Sequence, residues 1–383
     1  MSRIDDLIQE LCPAGVRYEY LGELTFPVTN IKWRELTNET FKYIDLTSVS
    51  RNNPQPASSV ISASNAPSRA QQIVKFGDVL FGTTRPMLRR LVQIRMDHDG
   101  QICSTGYCVI RANEAKVLAR FVFHLLDSLN FRNYVERNQQ GASYPSISDI
   151  AVRNFKIPLP PLEVQREIVS ILDKFTELEA ELEAELEARR SQYAFYRDQL
   201  LTFPETGGVQ WVPMCQITIS IASGRNKARS AEGVYPVYGS TSRLGFSDQF
   251  VYTGDALLVA RVGENAGLVN IVGGEFDVSD NTLVVRPSNM WDVRFAYHQL
   301  TQINLNQYAV GGGQPLITGG LLKALELALP PLSEQKRIAL LLDKFDALVN
   351  DISVGLPAEI AVRRKQYEHY RDQLLTFKEL KSA

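Results

Sequence analysis

The sequence lacks several features that would place the protein in a membrane or outside the cell. It has no apolar run of about 18 residues, so it predicts no transmembrane helix. Its start, Met1–Asp6, becomes acidic at once and contains no apolar stretch, which is unlike a secretory signal. Its four cysteines, at Cys12, Cys103, Cys108 and Cys215, show no CxxC spacing. We therefore expect a cytoplasmic protein whose thiols are reduced.

Sequence motifs for metal, nucleotide and catalytic sites are also missing. The four histidines are isolated, and there is no Cys/His cluster that would hold a metal. There is no Gly-rich phosphate loop ending in Lys-Ser/Thr, no GxSxG elbow and no Asn/Asp-Pro-Pro-Tyr/Phe methyltransferase motif. Gly263–Gly267 is flanked by glycines but lacks the strand–loop–helix context of a nucleotide site. We expect no metal, no cofactor and no catalytic residue.

The net charge of the chain is small, −2, but the charged residues are unevenly distributed. Residues 17–157 hold 18 Lys/Arg against 12 Asp/Glu, whereas residues 158–206 hold 5 against 11. Residues 207–329 and 330–383 are close to neutral, with 8 against 9 and 9 against 8. A basic first segment followed by an acidic one indicates an anionic partner for the first segment.

The most informative feature that is present is an internal repeat. Two motifs recur at an offset of 170: Pro160-Pro161-Leu162 with Gln165, and Leu172-Asp173-Lys174-Phe175, return as Pro330-Pro331-Leu332 with Gln335, and Leu342-Asp343-Lys344-Phe345. A third, running from Tyr196 to Phe203, returns without change from Tyr370 to Phe377. The segments between the motifs resemble each other only faintly, for example Gly141–Pro145 and Gly311–Pro315. Similar motifs between dissimilar segments indicate a shared mechanical role and two different ligands.

The repeated motifs belong to predicted long helices. From Ile168 to Phe203, ten steps of three or four residues cover 35 residues, and the mean of 3.5 is the coiled-coil period. A helix over residues 161–203 would be roughly 60 Å long and needs a partner for its apolar stripe. The second copy, about 331–378, is the predicted antiparallel partner. The stripe residues expected on this pair are Leu178, Leu182, Leu186, Tyr196, Leu348, Ile352, Leu356 and Tyr370.

Four-residue units account for the difference between the two helices. The first helix contains three Leu-Glu-Ala-Glu-like units, starting at Leu178, and the second contains four. One unit adds about 6 Å of helix. The second helix also contains Gly355 and Pro357, which predict a kink or a restart near Leu356.

The predicted architecture is α/β, with two small α/β domains joined by two long helices in an antiparallel coiled coil with pseudo-twofold symmetry. The predicted parts are an N-terminal helical piece (1–16) beside the end of the C-terminal helix, a first head (17–157), a first helical spacer (158–206), a second head (207–329) and a second helical spacer (330–383). Strands are expected at 41–46, 78–81, 107–112, 257–261 and 282–286, and helices at 118–137 and 292–306.

Both heads carry loops that combine cations, amides and aromatic residues. Arg suits guanine edges, Asn and Gln suit adenine, and Lys suits phosphates, so these loops favour nucleic acid as the ligand. The DNA-binding candidates of the first head are Lys32, Arg34, Arg51, Asn52, Arg85, Arg89, Arg90, Arg95, Gln140 and Tyr144. Those of the second are Arg225, Asn226, Lys227, Tyr238, Ser240, Thr241, Arg243, Arg261 and Gln314.

Taken together, the twice-written Pro-Pro-Leu, Leu-Asp-Lys-Phe and Tyr-Arg-Asp-Gln-Leu-Leu motifs resemble the specificity subunit of type I restriction-modification enzymes. The resemblance covers the whole chain, including the order head, helix, head, helix. It implies that each head is a target recognition domain for one half of a bipartite double-stranded DNA site. It also implies that the helices set the spacer and that their eight stripe residues dock two methyltransferase subunits, which bring S-adenosylmethionine and methylate adenine at N6. Restriction subunits would join them to cleave DNA with ATP, and this chain itself would be non-catalytic.

Two other classes of protein fit parts of the sequence. A coiled-coil adaptor that binds proteins would explain the helices but not the Arg/Asn/Gln-rich loops. A self-sufficient DNA methyltransferase would need a cofactor pocket and a catalytic motif, and neither is recognisable in the sequence.

Overall fold

A computed structural model describes residues 3–49, 58–204, 208–226, 230–311, 313–351 and 353–380. Its contacts divide the chain into two compact units. Unit 1 comprises residues 1–181 and 360–383, and unit 2 comprises residues 182–359. Each unit therefore contains one head together with parts of both helical segments.

In the described residues of unit 1, ten strands and several short helices precede the long helix. The helices are α1 (Arg3–Leu11), α2 (Ala119–Asp127), α3 (Leu129–Asn138), α4 (Asp149–Arg153) and the start of α5 (Leu162–Leu201). The strands are β1 (Arg17–Tyr20), β2 (Thr25–Phe26), β3 (Thr40–Ile44), β4 (Ser59–Ser62), β5 (Ala70–Ile73), β6 (Val79–Gly82), β7 (Leu91–Gln93), β8 (Ile102–Ser104), β9 (Tyr107–Ala112) and β10 (Lys156–Leu159).

The part of unit 2 that the structure describes contains the next ten strands. They are β11 (Gln210–Pro213), β12 (Thr218–Ser223), β13 (Tyr235–Tyr238), β14 (Arg243–Ser247), β15 (Tyr252–Thr253), β16 (Ala256–Ala260), β17 (Val269–Val272), β18 (Glu275–Val278), β19 (Thr282–Pro287) and β20 (Glu326–Leu329). The helices are α6 (Val293–Ile303), α7 (Gly319–Ala324), α8 (Leu332–Asn350) and the start of α9 (Leu356–Leu374), which ends in unit 1.

The two heads have the same strand order. In the first, the sheets run β2-β9-β6-β7 and β4-β3-β8-β5, with a separate β1-β10 pair. In the second, they run β12-β19-β16-β17 and β14-β13-β18-β15, with a β11-β20 pair. Among the strands of the described residues, β3 pairs with β8 and β13 pairs with β18 in parallel, and the other pairs are antiparallel. The faint similarity of the head sequences therefore reflects one shared α/β topology.

In each head, the central apolar strands are buried on both faces of their sheet. One side of the β9-β6 sheet packs against α2 and α3 in a cluster that includes Phe121 and Phe131, and the other side packs on Ile44 and Leu46. In the second head, Trp291 and Phe295 lie in the cluster beneath β16 and β19. Strands buried on both faces read as continuous apolar runs, as in Leu257–Ala260.

The second helical segment is interrupted where Gly355 and Pro357 predicted it. Helix α8 ends at Asn350 and α9 begins at Leu356. A Cβ on Gly355 would lie 2.4 Å from the Ala347 carbonyl oxygen, so the turn between the helices requires glycine. Pro357 occupies the first turn of α9, where its missing N–H costs nothing.

Within each unit, the segment of α5 packs beside a segment of the other helix. In unit 1, Phe175 stacks on Tyr370 at 5.5 Å between ring centroids, and Arg364 forms an ion pair with Glu179. These contacts pair a later residue of one helix with an earlier residue of the other, so the two segments run antiparallel. In unit 2, Phe345 stacks in the same way on Tyr196 at 5.9 Å.

The N-terminal piece of unit 1 lies beside the end of the C-terminal segment. Val16 forms a parallel bridge with Glu379, and the Tyr18 hydroxyl donates a hydrogen bond to the Phe377 carbonyl at 2.9 Å. Ile4 and Leu375 belong to the same apolar cluster. No helix in the described part of the chain has the length and apolarity to cross a membrane.

Candidate nucleic-acid interface

The repeated glutamine of the Pro-Pro-Leu motif joins each long helix to its head. Gln165 is fully buried; its Oε1 accepts from the Leu118 amide at 2.9 Å, and its Nε2 donates to the Lys116 and Pro160 carbonyls. Gln335 repeats all three hydrogen bonds in unit 2, with the Asp292 amide and the Met290 and Pro330 carbonyls. Because the partners are backbone groups, the joint tolerates divergent head sequences.

The repeated aspartate of the Leu-Asp-Lys-Phe motif makes a second joint. Asp173 accepts hydrogen bonds from His124 at 2.9 Å and Arg120 at 2.6 Å. Asp343 does the same with His298 at 2.7 Å and Arg294 at 2.9 Å. These contacts fix α2 and α6 against the long helices.

The buried positions of His124 and His298, the histidines of the two joints, favour the neutral form of each ring. Burial lowers the pKa of His124 and of His298, and this outweighs the hydrogen bond that each makes with its aspartate. Burial acts to raise the pKa of Asp173, but the hydrogen bond from His124 and the charge of Arg120 prevail and hold it below its usual value. The aspartate therefore stays ionised.

Two loops meet at one edge of the first head. The turn loop (residues 83–90) follows β6, and the Gly-Pro loop (residues 139–147) follows α3. The Arg85 amide donates to the Pro145 carbonyl at 2.7 Å, and the Ile147 amide donates to the Thr83 carbonyl at 2.9 Å. The Arg85 guanidinium lies 4.4 Å above the exposed Tyr144 ring. The two loops thus present a cation stacked on an aromatic ring at the surface.

The second head builds the same pair of loops from different residues. Its turn loop spans 261–268 and its Gly-Pro loop spans 309–317, of which residue 312 lies outside the described part. The Gly263 amide donates to the Pro315 carbonyl at 3.0 Å, and the Ile317 amide donates to the Arg261 carbonyl at 2.8 Å. Arg261 lies in this turn loop, and the exposed Gln314 lies in this Gly-Pro loop. The backbone is shared and the presented side chains are not.

The other candidates of the first head are spread more widely. Lys32 is exposed and pairs with Glu35 at 3.0 Å, and Arg34 is exposed beside it. The exposed Gln140 exchanges two backbone hydrogen bonds with Ser146 inside the Gly-Pro loop. Both Arg51 and Asn52 lie outside the described residues.

Three arginines of the β6–β7 hairpin occupy different places. Arg90 is half-buried and its guanidinium lies 3.4 Å from the Thr84 carbonyl oxygen, at the edge of the turn loop. Arg95 is exposed at the opposite end of the hairpin. Arg89 points inward and forms an ion pair with Asp127. The structure therefore brings Arg85, Arg90, Gln140 and Tyr144 together, and does not bring Arg95 or the Arg89 guanidinium to the same surface.

The other candidates of the second head surround the ends of β13 and β18. Arg225 is exposed, and its amide donates to the Val278 carbonyl at 3.0 Å. The Asn226 side chain donates to Asp277 at 2.6 Å. Lys227 lies outside the described residues. The β13–β14 turn presents Tyr238 and Ser240, both half-buried, and the exposed Thr241 and Arg243.

Segments that the sequence did not single out lie between these candidates. In the first head, the exposed Arg69 accepts the Thr105 amide through its carbonyl oxygen at 2.9 Å, next to the turn loop. In the second, the Arg261 amide donates to the carbonyl of the exposed Asn281, and the side chain of Asn270 lies 3.5 Å from the Ser240 carbonyl. No sequence pattern identifies these residues, because they reach the edge only through pairing of strands distant in the chain.

The docking candidates on the helices remain partly accessible. Leu178, Tyr196, Leu348 and Tyr370 are between 37% and 47% exposed, and Leu182 and Leu186 are half-buried. Leu356 is buried, and Ile352 lies outside the described residues. Phe195, 64% exposed on α5, is an apolar residue that the sequence analysis did not select. The helical stripe is therefore incompletely covered by the described residues.

Comparison with known proteins assigns the family. The profile of the type I restriction modification DNA specificity domain matches twice, at residues 31–188 and 215–362. The specificity subunit of the type I restriction enzyme EcoprrI of Escherichia coli is 33% identical over 252 residues, which cover 61% of this chain and 62% of that protein. Another E. coli type I specificity subunit is 32% identical over 304 residues, covering 70% of this chain and 73% of that protein.

A solved structure gives the same result over nearly the whole chain. A chain from a type I restriction-modification system superposes with a TM-score of 0.68 and 26% identity, covering 94% of this chain and 97% of that one. This protein belongs to the family of type I restriction-modification DNA specificity subunits. Members of this class are non-catalytic, as the motif analysis predicted, and the comparisons do not support the adaptor that binds proteins.

Proposed function

We propose that this chain is the DNA-recognition subunit of a type I restriction-modification enzyme, working in the cytoplasm, and that each head reads one half of a bipartite duplex site. One observation carries the proposal: both heads form the same turn loop and Gly-Pro loop but present different side chains on them. A shared frame with exchangeable side chains is what two readers of two different half-sites require.

The side chains presented by the first head suit direct readout. Arg85 is held over Tyr144, so its planar guanidinium is oriented before DNA arrives. An arginine can donate two hydrogen bonds to O6 and N7 of guanine, and such a pair is worth about 1–3 kcal/mol of discrimination. In the second head, Gln314 occupies the place of Tyr144, and an amide suits adenine.

The proposed partners follow from the helices and the lack of catalytic groups. Two methyltransferase subunits would dock on the accessible stripe that includes Leu178, Tyr196, Leu348 and Tyr370 and would methylate adenine at N6. Restriction subunits would add ATP-dependent cleavage. The helical segments between the heads would set the number of unspecified base pairs in the site, and linking two half-site readers raises affinity through effective concentration.

The deciding experiment is methylome sequencing of cells that carry this chain with its methyltransferase partner. The expected result is adenine methylation at one split motif with an unspecified gap. Arg85→Ala should weaken methylation of the split motif and relax the base preference in one of its two half-sites. Arg95→Ala, at the other end of the same hairpin, is the matched control and should have a smaller effect. The absence of any split motif in cells with an active partner would reject the proposal.

A further inference from the structure

The turn loops of the two heads have the same backbone but differ at two left-handed positions. The amides of Gly82 and Ala260 donate across the base of each loop at 2.8 Å, to Arg90 and Leu268 respectively. Counting back from these partners, Arg85 and Arg89 of the first head correspond to Gly263 and Gly267 of the second. Their φ angles are +47° and +54° for the arginines, and +83° and +91° for the glycines.

Arginine is an unfavourable residue at these positions. A residue with a Cβ is sterically disfavoured in the left-handed region, and the second head avoids this strain with glycine. Strain of this kind persists where the surrounding structure fixes it and often marks a functional position. Arg85 is presented at the surface over Tyr144, but Arg89 is only 17% exposed, so its side chain has a different use.

Arg89 is held by a carboxylate that also holds the long C-terminal helix. Its guanidinium forms an ion pair with Asp127 and donates to the Asp127 carbonyl at 2.9 Å. The other oxygen of Asp127 accepts from Arg371 of α9 at 2.6 Å, and the Arg371 side chain is 3% exposed. One aspartate at the end of α2 thus ties the turn loop to α9, through two charge-assisted hydrogen bonds in a largely buried place.

The second head anchors its turn loop without charge. The position equivalent to Asp127 is Thr301, since His124 and His298 correspond at the same offset of 174. The Asn306 side chain donates to the Ala266 carbonyl at 2.7 Å. Gly267 approaches the Leu305–Asn306 backbone so closely that a Cβ would lie 2.5 Å from the Asn306 nitrogen. The anchor is therefore a neutral hydrogen bond plus close packing.

We propose that Asp127 and Arg89 form a positioning clamp that sets the turn loop of the first head, and that Asn306 is the corresponding positioning residue of the second. The inference rests on the proposed function, because it concerns the loop that presents Arg85 to DNA. Neither Asp127 nor Arg89 contacts the DNA in this arrangement. They act by fixing the loop, since displacement of a reading side chain by a fraction of an ångström weakens its hydrogen bonds to a base edge.

The test uses the complex of this chain with its methyltransferase subunits and measures methylation of duplexes with single mismatches in either half-site. Arg89→Gly removes the clamp while supplying the residue that suits φ +54°, so the variant keeps its fold. Asp127→Asn removes the charge from the other side of the clamp. We expect both to reduce mismatch discrimination about tenfold at one half-site and to leave the other unchanged. Asn306→Ala should do the reverse.

Asp372→Asn is the matched control. Asp372 also contacts Arg371 and accepts from the Leu129 amide at 3.1 Å, but it does not contact the turn loop. It should leave discrimination unchanged at both half-sites. The double variant Arg89→Gly/Asp127→Asn should relax discrimination by less than the sum of the two single effects, because both single variants remove the Arg89–Asp127 ion pair.

Unchanged discrimination in a folded Arg89→Gly complex would overturn the clamp, as would equal relaxation at both half-sites. In those cases the wild-type complex still methylates a split site, so the proposed function stands. A wild-type complex that methylates no split site would instead overturn the proposed function, and the clamp with it.

Discussion

The joint made by Gln165 gives the sharpest stability prediction. Gln165→Met keeps the volume and the apolar stem of the side chain but removes its amide. The change leaves the Leu118 N–H and the Lys116 and Pro160 carbonyls without the partner that they have in the native protein. The residue is fully buried, so water replaces that partner only if the joint opens.

The expected loss follows from three hydrogen bonds. Each contributes about 1 kcal/mol net, and a buried backbone group left unsatisfied costs about 1–3 kcal/mol. Losing the hydrogen bond costs each carbonyl less than it costs the Leu118 N–H, because a carbonyl oxygen has a second lone pair and the N–H has a single proton to donate. We expect the free energy of unfolding to fall by about 3 kcal/mol.

Urea denaturation followed by circular dichroism measures this loss, and hydrogen exchange at the Leu118 amide locates it. Gln335→Met makes the same change in unit 2 and should cost a similar amount. Gln192→Met is the matched control, because Gln192 is half-buried on α5 and accepts only a side-chain hydrogen bond from Arg189. A loss for Gln165→Met no larger than that of the control would refute the reasoning that the glutamine joints hold the heads on the helices.

Three further predictions concern pH, glycine and spacing. The pKa values of His124 and His298 are lowered in the folded state, so the unfolded chain binds more protons below about pH 6.5; unfolding free energy should fall as pH decreases through that value, and His124→Gln with His298→Gln should flatten the slope in pH-dependent denaturation. Gly267→Ala should destabilise the chain more than Gly263→Ala in thermal melts, because both strain a positive φ but only the first meets backbone within 3 Å; equal losses would contradict this. Inserting one Leu-Glu-Ala-Glu unit after Glu185 adds about 6 Å of helix and should lengthen the methylated motif's gap by one or two base pairs, and an unchanged gap in the methylome would count against a spacer role.

Local patterns were sufficient for the helical segments. The 3.5-residue period and the Pro-Pro step predicted a helix over 161–203, and α5 spans Leu162–Leu201. Gly355 and Pro357 predicted the interruption before Leu356, because both act on the backbone at their own position. The head strands predicted at 41–46, 78–81, 107–112, 257–261 and 282–286 correspond to β3, β6, β9, β16 and β19, while short strands such as Ser59–Ser62 have no distinctive pattern.

The candidate interface was predictable in composition but not in arrangement. Arg85, Arg89 and Arg90 are equivalent in sequence terms, yet Arg85 lies over Tyr144 and Arg89 turns to Asp127. Arg85 and Arg89 themselves have left-handed backbone angles on either side of the Pro86–Leu88 turn, and an arginine at a left-handed position leaves no trace in the pattern of residue types.

The sequence by itself determined the duplication, the helical motifs, the absence of recognisable catalytic groups and the family. These depend on residues close together in the chain, where period, capping and backbone restrictions act directly. Only the tertiary structure decided that the heads share one strand order, and that the motif residues Gln165 and Asp173 are joints between head and helix. It also decided that Asp127 meets Arg371, 244 residues away. Such pairings are selected by packing of the whole unit, because a carboxylate or an amide can satisfy many partners and the fold decides which of them come within reach.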